Sequence, residues 1–150
     1  LYLEQPQASI FSSLPCAGLT MAPRLMCIFD SCKERYESAD GVSELSGSAP
    51  VTRQSGRSKH IQFRRACRKS YRNTMHQYAL VSMRKCAWAA AFYQNCRKAG
   101  QGHALALRNL ANKWTKIIYR MCCENLPYDE QRYIKALRRT NSPLVACLEG

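Results

Sequence analysis

The feature that most constrains this chain is a long apolar stripe between residues 103 and 124. Apolar side chains recur there every three or four positions, which places them on one face of an α-helix. The stripe consists of Ala104, Leu107, Leu110, Ala111, Trp114, Ile117, Ile118 and Met121. Because such a face is stable only when other elements cover it, a chain of 150 residues is expected to build one core around this helix. The stripe therefore predicts core packing rather than a cofactor site.

Shorter signals predict helices in the N-terminal part. Residues 8–29 have the pattern of two apolar helices separated by a Pro- and Gly-containing turn at 15–18, with Thr20 as a cap of the second helix. This is the outline of a helix-hairpin-helix, and a plain helical hairpin used only for packing is the alternative. Ser38 is suited to cap a further short helix that ends at Leu45.

The predicted fold is mostly α, with a single domain over 1–143. It begins with the helix-hairpin-helix-like unit and has a helical part over 61–139. The remaining divisions are helices over 61–85, 87–98 and 129–139, a Ser- and Gly-rich loop or short β-hairpin over 47–60, and a tail over 144–150.

Charge is distributed unevenly along the chain. Residues 1–50 carry six acids and three bases, residues 51–123 carry sixteen bases and no acid, and residues 124–150 carry four of each. All of the net charge of +13 therefore comes from residues 51–123, which we call the acid-free block. Such a block attracts a polyanion, since each neutralised phosphate releases a counterion; a basic face that is only solvated is the alternative.

Eight of these bases lie within residues 53–72. A helix over 61–85 would align Arg64, Arg68 and Arg72 on one face, and the block offers no acid for pairing at i,i+4. This absence favours DNA as the partner. We add Gly18, because backbone N–H groups at the start of a helix can hold a phosphate. The predicted DNA-binding residues are Arg53, Arg57, Lys59, Arg64, Arg65, Arg68, Lys69, Arg72 and Gly18.

The sequence offers little material for catalysis. It lacks GxSxG, HExxH and GxxxxGKS patterns. Ser55, however, lies between Arg53 and Arg57, where guanidinium groups would stabilise the charge that develops when a hydroxyl attacks a phosphodiester. A plain Ser-Gly turn is the alternative.

Cysteine and histidine usage gives no sign of a metal site or of disulfides. The nine cysteines include no CxxC pair, their number is odd, and the three histidines are widely spaced. We expect reduced thiols, a cytoplasmic protein, and no metal or cofactor in this chain. The longest apolar run, residues 86–93, is too short to cross a bilayer.

Five stretches resemble, in order and spacing, the C-terminal half of one transposase family. They are LPCAGLTMAPRL (14–25), ERYESADGVSELSGSAPVTRQSGRS (34–58), WAAAFYQNCRKAG (88–100), LANKWTKIIYRM (110–121) and PYDEQRY (127–133). Residues 8–143 thus resemble the C-terminal domain of the IS110 (IS116, IS902) insertion-sequence transposases, which are related to the Piv DNA invertases.

The resemblance implies a function in DNA transposition. The family's serine, which attacks DNA, corresponds to Ser55, and its partners are DNA, a guide RNA encoded by the element, and further copies of the protein. An N-terminal RuvC-like half with four acidic residues would bind Mg²⁺. That half is missing here and the chain begins with Leu1, so we expect a truncated copy that is inactive alone. The alternative is a stand-alone nucleic-acid-binding helical module without catalysis. Cys16 replaces a usual glycine, which predicts strain if the turn needs a positive φ.

Overall fold

A computed structural model describes residues 1–62 and 64–149, with side chains except those of Arg53, Gln54 and residues 58–62. A short 3₁₀ turn, Tyr2–Glu4, precedes the first helix. The elements are α1 (Ala8–Ser12), α2 (Gly18–Phe29), α3 (Cys32–Arg35), α4 (Ala39–Leu45), β1 (Val51–Ser55), β2 (Ser58–Gln62), α5 (Lys69–Ser82), α6 (Ala87–Lys98), α7 (His103–Glu124), α8 (Glu130–Arg139) and α9 (Pro143–Glu149). The predicted mostly-α fold is confirmed.

Helix α7 lies at the centre, and α4, α5 and α6 pack against it. Its bounds match the prediction, and most of the apolar stripe is buried, although Ala104 at its start is exposed. The ring of Trp114 lies 4.8 Å from that of Trp88 and 5.0 Å from that of Tyr78, between centroids. Each indole N–H has a partner: Trp114 donates to Ser82 Oγ at 2.8 Å and Trp88 to the Tyr128 hydroxyl at 2.9 Å. These bonds offset the cost of burying the two polar groups.

The helices with clear end signals begin and end where the sequence predicts. The Ser38 hydroxyl caps α4 by accepting from the Asp40 N–H at 3.3 Å, and the Asp129 carboxylate caps α8 by accepting from the Arg132 N–H at 3.1 Å. Helix α6 ends with two cations, and Gly100 follows with φ +82°.

The helix predicted over 61–85 is wrong at its beginning. Gln62 pairs with Val51 and Ile61 with Thr52 in the β1–β2 hairpin, so α5 starts only at Lys69. Arg68 has extended backbone because its N–H donates to the Leu45 carbonyl at 2.8 Å. Pairing between the two strands of the hairpin therefore overrides the helical pattern in this segment.

Two smaller predictions also fail. Thr20 does not cap α2, because the helix begins at Gly18 and Thr20 is its third residue. The tail predicted over 144–150 is helical as far as the structure describes it, to Glu149. A Pro at the first position favours this helix, and Leu144 is buried in the core.

Among the described residues, no helix combines the length and the apolar character needed to span a bilayer. All nine cysteines are free. Within residues 1–62 and 64–149, no cluster of three or more His, Cys, Asp or Glu side chains is arranged to hold a metal ion.

Candidate functional site

Ser55 is the last residue of β1, at the tip of the hairpin. It pairs in register with Ser58, so that Gly56 and Arg57 alone form the turn. Gly56 has φ +56°, and a two-residue hairpin turn with a positive φ at its first position favours glycine. Ser55, Gly56 and Arg57 are all exposed. The turn therefore presents a hydroxyl and a guanidinium directly to solvent.

The base of the hairpin is fixed to the end of α4. The backbone N–H groups of Ser48 and Ala49 both donate to the Ser43 carbonyl, at 2.9 and 3.0 Å. The Ser43 hydroxyl in turn donates to Asn112 Oδ1 on α7 at 2.8 Å, and Ser43 is buried. The buried hydroxyls of Ser46 and Ser48, in the segment between α4 and β1, lie 3.2 Å apart. The serine-rich sequence after α4 thus anchors the hairpin to the core helix.

A close contact joins the two segments that flank the hairpin. Gly47 has φ +69°, and a Cβ built at this position would lie 2.9 Å from Cys67 Sγ and 3.2 Å from Cys67 Cβ. Both the backbone conformation and the lack of space exclude larger residues. Because Gly47 has no side chain, the segment before β1 packs directly against Cys67 in the segment after β2.

Five predicted DNA-binding cations lie between the hairpin and the first turns of α5, but not on one helical face. Arg64 and Arg65 precede α5, and Arg68 is its N-cap residue. Arg65, Arg68 and Lys69 are exposed, whereas Arg72 on α5 is half-buried. The side chains of Arg53 and Lys59, in the hairpin strands, lie outside the described part of the structure.

Arg64 has an acidic partner from another segment of the chain. Its guanidinium lies 3.4 Å from Glu44 Oε1, which comes from α4 rather than from the acid-free block. The structure therefore separates Arg64 from the other described cations of residues 53–72. Arg64 is half-buried and paired, while Arg57, Arg65, Arg68 and Lys69 form no salt bridge with any residue that the structure describes.

The structure adds one cation that the sequence did not single out. Arg35 on α3 donates to the Tyr71 hydroxyl on α5 at 3.2 Å, and the Arg68 guanidinium lies 5.4 Å from the Tyr71 ring centroid. The hydrogen bond to Tyr71 raises the pKa of Arg35. No signal in the sequence points to this neighbour, because Arg35 belongs to the acid-rich N-terminal segment and reaches the cations of residues 53–72 only through the packing of α3.

Gly18 does not lie beside the cations that follow the hairpin. Arg24 on α2 donates to Gln77 on α5 at 2.7 Å, and the Tyr71 hydroxyl donates to the Cys27 carbonyl at 3.4 Å, so the two helices run antiparallel. Gly18 therefore lies at the opposite end of α2, about 15 Å from the Tyr71 end at the usual rise per residue. It is exposed with φ +53°, and no side chain caps α2.

The turn before α2 contains the strained residue that the sequence suggested. Cys16 has φ +59°, a conformation that costs a residue with a Cβ about 1–2 kcal/mol relative to glycine.

His76 lies close to cations, one helical turn beyond Arg72. Burial lowers the pKa of its imidazole below the ordinary value, and the charges of Arg72 and of Arg108 on α7 lower it further. Its Nε2 is buried and accepts or donates no hydrogen bond among the described residues. The neutral form is therefore the one that this site favours.

Comparison with known proteins gives consistent matches. Residues 8–94, more than half of the chain, match the family described as Transposase IS116/IS110/IS902. The chain is 29% identical over 132 residues to the mini-circle candidate transposase for IS117 of Streptomyces coelicolor, covering 87% of this chain and 32% of that protein. It is 26% identical over 122 residues to an uncharacterised 42 kDa protein of insertion element IS900 from Mycobacterium paratuberculosis, covering 81% and 31%. The chain thus spans about a third of the length of these curated relatives.

Proposed function

The chain belongs to the IS116/IS110/IS902 family of transposases, and from this premise we propose that it binds DNA and supplies the serine for strand transfer. The observation that carries the proposal is a set of exposed cations without salt bridges among the described residues, on the turn beside Ser55 and on the segment that follows the hairpin. Arg57 lies beside Ser55, and Arg65, Arg68 and Lys69 follow the hairpin. Cations without a carboxylate partner are available to phosphates, and their binding releases counterions.

DNA contacts to this surface would position the duplex rather than read its bases. Arg57, Arg65, Arg68 and Lys69 would bind phosphates, and Arg53, Lys59 and Arg72 would extend the surface. Arg64 would help through its pair with Glu44, which holds the segment after the hairpin near α4. The uncapped N–H groups near Gly18 would bind a phosphate further along the duplex.

In the proposed reaction, Ser55 Oγ forms a bond to a phosphorus atom of DNA. The bond between that phosphorus and one sugar oxygen breaks, and the sugar oxygen takes up a proton as it leaves. The proton lost by Ser55 Oγ balances the proton gained by the leaving sugar oxygen, and groups of the RuvC-like half would carry it between them. Arg57, in the turn itself, would stabilise the negative charge on the phosphoryl oxygens.

The remaining parts of the proposal concern partners. A RuvC-like acidic half would hold Mg²⁺, an RNA from the element would guide the assembly, and several copies would act together on DNA in the cytoplasm. On its own, the chain would bind DNA without recombining it.

DNA binding is tested by measuring duplex affinity against salt concentration for the chain and for the triple variant Arg65→Gln, Arg68→Gln and Lys69→Gln. We expect the slope of log affinity against log salt to become shallower by about 2–3, since each lost phosphate contact removes about 0.9. The matched control is Arg97→Gln with Lys98→Gln, two exposed cations at the end of α6. An unchanged slope in the triple variant would refute this surface.

The role of Ser55 is tested with Ser55→Ala in the presence of a RuvC-like half. We expect duplex affinity to remain the same while strand transfer and the covalent protein–DNA adduct disappear. Ser70→Ala is the control, because Ser70 is another exposed serine beside the same cations. Recombination by Ser55→Ala at the wild-type rate would exclude it as the nucleophile, and DNA binding would stand independently.

A further inference from the structure

A groove of about 750 Å³ runs between α7 and α8, and none of its lining residues belongs to the serine hairpin. Five cations line it, two from α7 and three from α8, and apolar side chains lie among them, including Ile117, Met121 and Tyr133. The cations are Lys116, Arg120, Arg132, Lys135 and Arg139. Only Lys116 and Arg120 belong to the acid-free block; the other three lie in a segment whose bases and acids balance.

Internal partners already occupy both carboxylates of the groove. Glu124 accepts from Arg120 Nε at 2.8 Å and contacts the Arg132 guanidinium at 2.7 Å. The Asp129 side chain caps α8 by accepting from the Arg132 N–H. Because Glu124 pairs with both arginines, it brings one guanidinium from each helix to the same carboxylate.

The other three cations have no such partner. Lys116, Lys135 and Arg139 make no salt bridge to any residue that the structure describes. With five cations and two engaged carboxylates, the groove carries an excess of positive charge. Cations that face a shared cavity without counter-charges repel one another, and an anionic ligand removes this repulsion.

The positions of the cations match an extended ligand rather than a single anion. Lys116 and Arg120 are one helical turn apart on α7, and Arg132, Lys135 and Arg139 follow at i, i+3 and i+7 on α8. Each helix therefore contributes a row of charge. Positively charged grooves that combine rows of cations with aromatic and apolar surface are characteristic of sites for single-stranded nucleic acid.

We propose that the groove between α7 and α8 binds one separated strand of DNA, with the phosphates along the two rows of cations and the bases against the apolar surface. The choice of DNA rests on the proposed function, in which Ser55 takes part in the transfer of a DNA strand. The site is distinct from the hairpin surface, which would bind the duplex.

The test is fluorescence anisotropy of the whole chain with three oligonucleotides of about 16 nucleotides: single-stranded DNA, RNA of the same sequence, and duplex DNA. The variant is Lys116→Gln, Lys135→Gln and Arg139→Gln. We expect a loss of at least tenfold in affinity for the DNA strand. We also expect its salt slope to fall by about 2, since a single strand contributes about 0.7 per phosphate.

The control removes three other exposed cations, Arg84→Gln, Lys85→Gln and Lys98→Gln, and thus the same net charge. Equal losses in the two triple variants would show an effect of net charge only and overturn the proposal. Tighter binding of RNA than of DNA would overturn the choice of DNA. A loss for the duplex as large as that for the single strand would overturn the strand-specific site.

A second measurement does not depend on the variants folding. Bound single-stranded DNA should protect Lys116 and Lys135, but not Lys85 and Lys98, from acetylation of the wild-type chain. Equal protection of all four lysines would contradict the proposal. The hairpin variants test duplex binding separately, so failure of that proposal and failure of this one give different results.

Discussion

At the residue scale, backbone strain at Cys16 destabilises the turn between α1 and α2. The residue has φ +59° just before α2, and Gly18, two positions later, has φ +53°. Glycine adopts such angles freely, whereas a Cβ contacts the neighbouring carbonyl oxygen. The family pattern predicted strain at Cys16 only if the turn needs a positive φ. The sequence alone did not determine that angle, because φ depends on how α1 and α2 pack.

Cys16→Gly should therefore stabilise the protein. Relief of strain outweighs the extra flexibility of glycine in the unfolded chain, and we expect the unfolding free energy to rise by about 0.5–1 kcal/mol. Urea denaturation followed by circular dichroism measures it. The control, Cys27→Gly, places glycine inside α2 at an exposed position and should instead lower stability by about 1 kcal/mol. A lower stability for Cys16→Gly would contradict the explanation by strain.

At the scale of elements, the helices that the sequence predicted well are those whose signals are local. Ser38 and Asp129 are caps that act within three residues, and the stripe of α7 has a clear period. The predicted start of α5 was wrong because Ile61 and Gln62 pair with β1. Helical periodicity in the sequence carries no information about such pairing between strands. The candidate site divides in the same way. Ser55 and Arg57 are only two positions apart in sequence, whereas Arg35 joins the cations only through tertiary packing.

The hairpin element depends on Gly47. Gly47→Ala would force φ strain and bring a methyl group within 2.9 Å of Cys67 Sγ, so we expect a loss of about 2–3 kcal/mol in unfolding free energy. Gly56→Ala is the control, since it shares the positive φ but has open space around it, and it should cost only about 1 kcal/mol. Thermal denaturation compares the two. Equal losses would mean that the contact with Cys67 contributes nothing.

At the scale of the whole molecule, the separation of charges along the chain affects how the core responds to pH. His76 on α5 faces Arg72 on its own helix and Arg108 on α7, and the acid-free block that contains all three has no carboxylate. Protonation of His76 would therefore place a third positive charge beside the half-buried Arg72 and the buried Arg108. Within the part of the chain that the structure describes, the salt bridge between Arg64 and Glu44 joins an acid of another segment to the cations of residues 53–72.

Acid should weaken the fold through His76. Its pKa in the folded protein is lowered, so below about pH 6.5 the unfolded chain binds more protons than the folded one. The stabilisation is thus complete above pH 6.5 and is lost as pH falls towards the lowered pKa. The midpoints of urea denaturation at pH 7.5 and 5.0 measure the loss of stability between these pH values. We expect this loss to be smaller in the variant His76→Gln. If the variant loses as much stability as the wild type between these pH values, His76 is not responsible.

The aromatic cluster has a consequence for where the protein can be divided. Trp88 lies within the stretch 8–94 that matches the family, but its ring contacts Trp114 and Tyr133 and its N–H donates to Tyr128, all beyond residue 94. A fragment ending at residue 94 would leave the largest side chain of α6 facing water, with its N–H unpaired. Residues 8–94 therefore contain only part of the hydrophobic core, and a boundary drawn from the match would cut through that core.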